Sequence, residues 1–410
     1  MGWCVKLKLG LLSAVVVTLS ACGGSGGGST SSNTTDACSK LDNDTFNCSQ
    51  MLTDIVEHAV RPSTTALSAA SVILHDNTDT YCAAIGEANE DASLTSAKNA
   101  WSAAMVEVQQ LRAMQFGPLA DSETGLDAIY AWPTVSSCLV DSQVKDGEVG
   151  LANRAGLYAM EYLLFGPVDA VSCENGELPS VDAWAEGKSS DQIQIARCDY
   201  AKLVADDLVL KTSALATTMN NYDLASLNEN LQTSAGLVSD ALFYIDKQTK
   251  DVKIKKLLPQ AGDETFNPEE VESQFAHVTQ QHIKSNLQGM RKVFTADSNM
   301  GLDDYLAAAS QQEIADDMLA AIDATIDNIN ALSNNTDASN DSLFDIVSAG
   351  GVAGTCVNLG ASGTYDNASS DIDTLCALQF TIKQVTDLLK GEYTQLTSFA
   401  VPATAGGDAD

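Results

Sequence analysis

The sequence predicts an all-α protein, two four-helix-bundle-like domains stapled by disulfides, and three observations carry that expectation. Apolar residues recur at helical spacing almost throughout: Ile314, Met318, Ile322, Ile326 and Ile329 step by four, four, four and three. Alternating apolar–polar runs, the mark of a half-buried strand, are scarce. Long helical segments number eight, and eight helices in one chain resolve most simply into two four-helix bundles.

The elements follow in order. Residues 1–22 read as a lipoprotein signal peptide. Lys6 and Lys8 give its positive start, and Leu11 to Leu19 give an apolar run too short to span a bilayer. The run ends in Leu19-Ser20-Ala21-Cys22, which resembles the bacterial lipobox, so Cys22 is the expected lipidation site. Gly23 follows, where an Asp would favour retention at the inner membrane, so a cell-envelope position anchored to the outer membrane is expected. Residues 23–44 form a flexible tether, richest in Gly, Ser and Thr over its first part, which holds the domain about 20 Å from the lipid. Helices are expected near 50–73, 94–115, 151–164, 191–220, 224–247, 269–295, 311–333 and 371–398. Polar or Gly-rich loops cover 333–341 and 350–370. The split near Asn220-Asn221 gives an N-terminal bundle, 45–221, and a C-terminal bundle, 222–404, with no clear repeat between them.

The net charge is −33, and −35 once Lys6 and Lys8 leave with the signal. Such a chain is repelled by nucleic acid and anionic lipid, so its contact with membrane is expected through the lipid anchor alone. Of ten cysteines, eight remain after Cys4 and Cys22 are set aside. In an exported protein an even set reads as disulfides. Sequential pairs are expected: Cys38–Cys48, Cys82–Cys138, Cys173–Cys198 and Cys356–Cys376. The chain holds no Cys-x-x-Cys, His-Glu-x-x-His, phosphate loop or calcium-loop spacing, and its one Gly-x-Ser-x-Gly match, Gly23 to Gly27, is tether, so those chemistries have no parts here.

The most informative stretch is Arg154-Ala-Gly156-Leu-Tyr158-Ala-Met-Glu161-Tyr162-Leu-Leu-Phe165-Gly. It resembles the signature of the imelysin-like family, Gly-x-His-x-x-Glu followed by Tyr-Leu-Leu-Phe, with Tyr158 where that motif has His. Further blocks are similar in the same order: Ala100-Trp101 to Gln109-Gln110 and Phe116-Gly117-Pro118, Ala131-Trp132-Pro133, Arg197-Cys198-x-Tyr200, and Lys256-Leu257-Leu258-Pro259. The resemblance implies two helical bundles. It also implies either a binding or accessory role in iron acquisition, with iron-uptake proteins as partners, or a metallopeptidase; a structural or partner-binding module of a surface complex is the third reading.

In the full motif, His and Glu share one helix face and can point into a bundle as metal ligands. Here a phenol replaces the nitrogen, and a phenol binds metal poorly unless a strong Lewis acid such as ferric iron ionises it. Tyr158 and Glu161 are therefore read first as a hydrogen-bonded structural pair. The alternative is a weakened site for iron or another divalent metal, and no catalytic residue is assigned. Arg112, standing where family members commonly carry Glu, and Arg154 are candidate partners for Glu161. Gly156 is expected to permit close packing of a neighbouring helix. Trp101 reads as core and Trp132, before Pro133 in a turn, as a cleft residue. His282 is read as a surface residue, with a place beside Glu272 in a cleft between the bundles as the alternative.

Overall fold

A computed structural model describes residues 38–168, 171–173, 178–257, 268–333, 343–348 and 371–394. Cys22 and Cys356 lie outside these, so the lipidation site and the Cys356–Cys376 pair do too. The described residues are mostly helical, include no strand, and belong to one compact unit. None of their helices is long and apolar enough to cross a membrane.

The first long helical run is α1 (Cys48–Asp54), a π-helical turn (Ile55–Val60) and α2 (Arg61–Ala84). Asn47 starts it by accepting from the Gln50 N–H through its side chain. Pro62, which has no N–H to give, closely follows the π-helical turn, where the run already departs from the regular α-helical ladder. The run continues past the expected end near 73 because Leu74, Thr78 and Tyr81 keep a buried stripe going. Then come α3 (Glu90–Arg112), α4 (Ser137–Asp146), α5 (Gly156–Phe165), α6 (Pro179–Ala185) and α7 (Ser190–Asn220). Ser189 and Gln192 close a capping box at the start of α7. The second half holds α8 (Leu231–Leu242), α9 (Thr279–Phe294), α10 (Leu302–Ala308), α11 (Gln312–Ser333), α12 (Leu343–Ser348) and α13 (Asp371–Leu388). The helix expected from 269 begins only at Thr279, and the ten residues before it form turns that build the site.

α2 packs against α3 and, antiparallel, against α7, while α11 packs against α9 and α13. α3 also packs on α9, which ties the two halves into one hydrophobic core. At that crossing Gly289 is required: a Cβ there would meet the Gln110 carbonyl oxygen at 2.0 Å. The N-terminal α1 packs on α8 and α10, elements of the second half, and Phe46 meets Tyr305 edge-on at 5.9 Å.

The disulfides correct the sequential scheme. Cys38–Cys48 forms as expected. Cys82 pairs with Cys198 and Cys138 with Cys173, in place of Cys82–Cys138 and Cys173–Cys198. The reason is topological. Antiparallel α2 and α7 bring Cys82 and Cys198 to a Cα separation of 5.5 Å across 116 residues of chain. Cys138 opens α4 and meets the segment that follows α5.

Candidate functional site

The site forms where α5, α3 and the turns before α9 converge. Gly156 opens α5 with φ +69, a left-handed value that favours glycine. A Cβ there would meet the Ile129 carbonyl oxygen at 2.3 Å. That oxygen accepts from the Leu157 N–H at 3.0 Å, so Gly156 admits a loop carbonyl rather than the neighbouring helix expected. Trp101 is fully buried and donates its indole N–H to the Leu157 carbonyl at 2.8 Å, which fixes the same turn from α3.

Glu161 is buried, and its Oε1 accepts three hydrogen bonds from the turns before α9. The Ser273 hydroxyl donates at 3.0 Å, the Phe275 N–H at 3.1 Å and the Ala276 N–H at 3.0 Å. Its Oε2 is buried with no hydrogen-bond partner among the described residues. Burial pushes the carboxyl up from its usual 4.5 to about 7; the three donors oppose this and nearby Glu272 reinforces it.

Glu272 lies on the same turns, in a different setting. Its Oε2 sits 2.9 Å from Lys253 Nζ and 3.1 Å from His282 Nδ1. Its Oε1 accepts from Gln109 Nε2 at 2.8 Å and from the Tyr130 hydroxyl at 3.2 Å. Burial alone would raise this carboxyl, but the Lys253 charge, with the His282 ring beside it, outweighs burial and holds it well below the usual range. Burial also pulls the Lys253 ammonium down to about 8, still protonated at neutral pH. Gln109 Oε1 and Asn286 Oδ1 accept from that ammonium, both at 2.8 Å. Lys253 is thus an internal cation in an oxygen cage, and Gln109, Asn286, Lys253 and Glu272 are all fully buried.

Tyr158 does not join Glu161. Its hydroxyl accepts from Gln274 Nε2 at 3.2 Å and faces a cleft of about 630 Å³. Burial pushes the phenol up to about 12, so it stays neutral. Trp132 lines this cleft and also a second cavity of about 280 Å³ that reaches Arg112 and Tyr244. On one side of the indole lies Lys253 Nζ, 5.9 Å from the ring centroid. Tyr158 therefore shares the cleft with Trp132, while Glu161 is turned behind it toward Ser273.

Neither arginine considered for Glu161 reaches it. Arg112 pairs with Asp127 at 2.6 Å, donates to the Tyr130 carbonyl and lies over the Tyr130 ring, because the loop after α3 folds back on that helix end. Arg154 offers its carbonyl to the Tyr200 hydroxyl at 2.8 Å. A buried carboxylate needs a cation or donors, and Glu161 has backbone and hydroxyl donors. His282 is buried beside Glu272. It is not a surface residue, because α9 turns it inward toward Trp101.

Iron or another divalent metal does not fit Tyr158 and Glu161 as they stand. The phenol is held neutral, one carboxylate oxygen is occupied by three donors, and a single oxygen remains. Among the described residues no group of three or more His, Cys, Asp or Glu is placed to hold a metal ion.

A separate buried pair braces α5 through Tyr162, whose ring packs on Phe275 at 5.0 Å. Arg197 on α7 meets Asp141 on α4 at 3.1 Å, and the Tyr162 hydroxyl donates to Asp141 Oδ2 at 2.6 Å.

The family profile for imelysin, peptidase M75, matches residues 60–346. Solved structures similar to this chain include the following two. An imelysin-like protein from Psychrobacter arcticum 273-4 is 14% identical, with a TM-score of 0.62 over 88% of this chain and 98% of its own. A candidate iron-regulated protein A precursor from Parabacteroides distasonis ATCC 8503 is 17% identical, with a TM-score of 0.55 over 83% of this chain and 95% of its own. At these identities the likeness concerns the fold. No curated protein matches the chain.

Proposed function

This chain belongs to the imelysin family, and from that premise we propose that it is a cell-envelope lipoprotein with a non-enzymatic binding or accessory role in iron acquisition. The observation that carries the non-enzymatic part is the fate of the motif. Hydrolysis needs a water activated by a metal or a base. Tyr158 replaces the motif nitrogen and stays neutral, and Glu161 Oε1 is occupied by Ser273, Phe275 and Ala276. What remains is a polar cleft walled by Trp132 and Tyr158.

Support for an iron role comes from the fold likeness to the iron-regulated protein A precursor. Support for the envelope position comes from Leu19-Ser20-Ala21-Cys22, with Cys22 lipidated and the outer membrane as destination. The competing reading, a metallopeptidase of the imelysin class, rests on the family's own character and on Glu161 Oε2, a buried carboxylate oxygen without a partner.

Three experiments test this reading. Purified protein should show no chelator-sensitive proteolysis. A deletion strain should grow more slowly when iron is limiting, and Cys22→Ala should release the protein from the membrane fraction. Chelator-sensitive cleavage lost in Glu161→Gln would establish the peptidase. Growth unaffected by deletion at any iron level would remove the iron role.

A further inference from the structure

Resting on the binding reading above, we propose that the Trp132 cleft takes a neutral saccharide of about two rings. Its volume, about 630 Å³, falls within the ~300–1,000 Å³ usual for small-molecule sites. The lining argues against the other ligand classes. A greasy ligand would lie against a lining that carries Ser136, Ser137, Gln274 and the Tyr158 hydroxyl, and would leave their polar atoms without water. An anion would approach a chain of net charge −33. Lys256 and Glu270, both exposed, bring one charge of each sign to the lining, so the wall is locally neutral.

Hydroxyls and amides both donate and accept, as sugar hydroxyls do. Tyr158 supplies the clearest instance. Its oxygen accepts from Gln274 Nε2 at 3.2 Å and Ser137 lies within hydrogen-bond reach, so the hydroxyl is held in place at the cleft wall, where it can both donate and accept. Burial keeps its proton in place at any physiological pH. Trp132 supplies the complementary apolar surface. It is partly buried and packed against the core, and the negative face of an aromatic ring attracts the weakly positive C–H groups on one side of a pyranose. The Tyr158 found in place of the motif His thus gives the site a fixed neutral hydroxyl where the full motif would offer a metal-binding nitrogen.

The test uses the mature protein with cellobiose, maltose and N,N′-diacetylchitobiose as probes, followed by calorimetry and by tryptophan fluorescence. At least one probe should bind saturably with a Kd below about 1 mM. Trp132→Ala should weaken it by at least about tenfold. Trp132→Phe, which keeps an aromatic face, should retain most of the affinity. Tyr158→Phe should cost roughly three- to tenfold. Circular dichroism and thermal unfolding of each variant show that the fold is kept. Binding of soluble disaccharides but not of insoluble polysaccharide marks a free ligand, and the reverse marks a glycan surface; either supports the class.

Absence of saturable binding to any probe at millimolar concentration and to polysaccharide overturns the proposal. So does tighter binding of glucuronate than of neutral sugars, or affinity unchanged in a folded Trp132→Ala. Failure here is separable from failure of the iron role. If no sugar binds, yet Trp132→Ala fails to restore growth of the deletion strain under iron limitation, the cleft functions with another ligand. If deletion itself has no effect, the iron role is wrong whatever the cleft binds.

Discussion

Two buried carboxylates on neighbouring elements of this site meet opposite fates. Glu272 faces Lys253 and His282 and is held ionised, well below the usual carboxylate range. Glu161 faces one hydroxyl and two backbone N–H groups and is pushed up to about 7 by burial. Burial is common to both, so the difference comes from their partners: a full cation inverts the desolvation effect and neutral donors only blunt it. The Glu272 region is a structural bracket between halves, since Gln109 comes from α3, Asn286 from α9 and Lys253 from the chain between α8 and α9. The Glu161 region is left incompletely satisfied, with Oε2 free beside the wall of a cleft.

The contrast breaks most visibly at Lys253. Lys253→Met should destabilise the protein by about 3–5 kcal/mol, because it leaves Glu272 buried without its closest cation. Adding Glu272→Gln to that variant should recover part of the loss. Urea unfolding of the two variants measures this, and a loss below about 1 kcal/mol would say that Lys253 is not the bracket's cation.

The second effect is a pH dependence at Glu161. Its folded value lies above the unfolded one, so proton binding stabilises the fold at low pH. That contribution is complete below 4.5 and is lost as pH rises through about 7. Relative to wild type, Glu161→Gln should therefore gain on the order of 1–3 kcal/mol between about pH 5 and pH 8. Thermal unfolding at both pH values reads it; parallel behaviour of variant and wild type would mean Glu161 is ionised throughout. Smaller still is Ser273→Ala, which removes one donor. It should cost about 1 kcal/mol at about pH 8, less at about pH 5, and move the Glu161 titration upward. A cost unchanged with pH would detach Ser273 from the carboxylate.

Helices were legible because burial imposes a period on α3, α7, α9 and α11 whatever their neighbours are. The Gly156–Tyr158–Glu161 helix is buried on every side and so carries no such period; it was legible through its resemblance to the family signature, and Trp101 through the usual core place of a large aromatic side chain. The Glu272 bracket was not, since its members come from segments whose meeting only the tertiary fold decides. A signal existed: Gln109 sits four residues after Met105 on a buried stripe, and Asn286 sits four before Met290. A polar residue on an apolar stripe needs a partner, but the stripe does not say which. Likewise, cysteine spacing cannot reveal that α2 lies beside α7, so Cys82 was matched to its nearest successor rather than to Cys198.

The central claim is that the motif position no longer carries metal chemistry, and calorimetric titration of the mature protein with zinc and with ferrous iron tests it most directly. Wild type should show no saturable binding that depends on Glu161. Tyr158→His should show weak binding, because a nitrogen and Glu161 Oε2 then offer two donors, and Tyr158→His with Glu161→Gln should lose it again. Tight binding by wild type that disappears in Glu161→Gln would contradict the account and restore a metal centre to this member of the family.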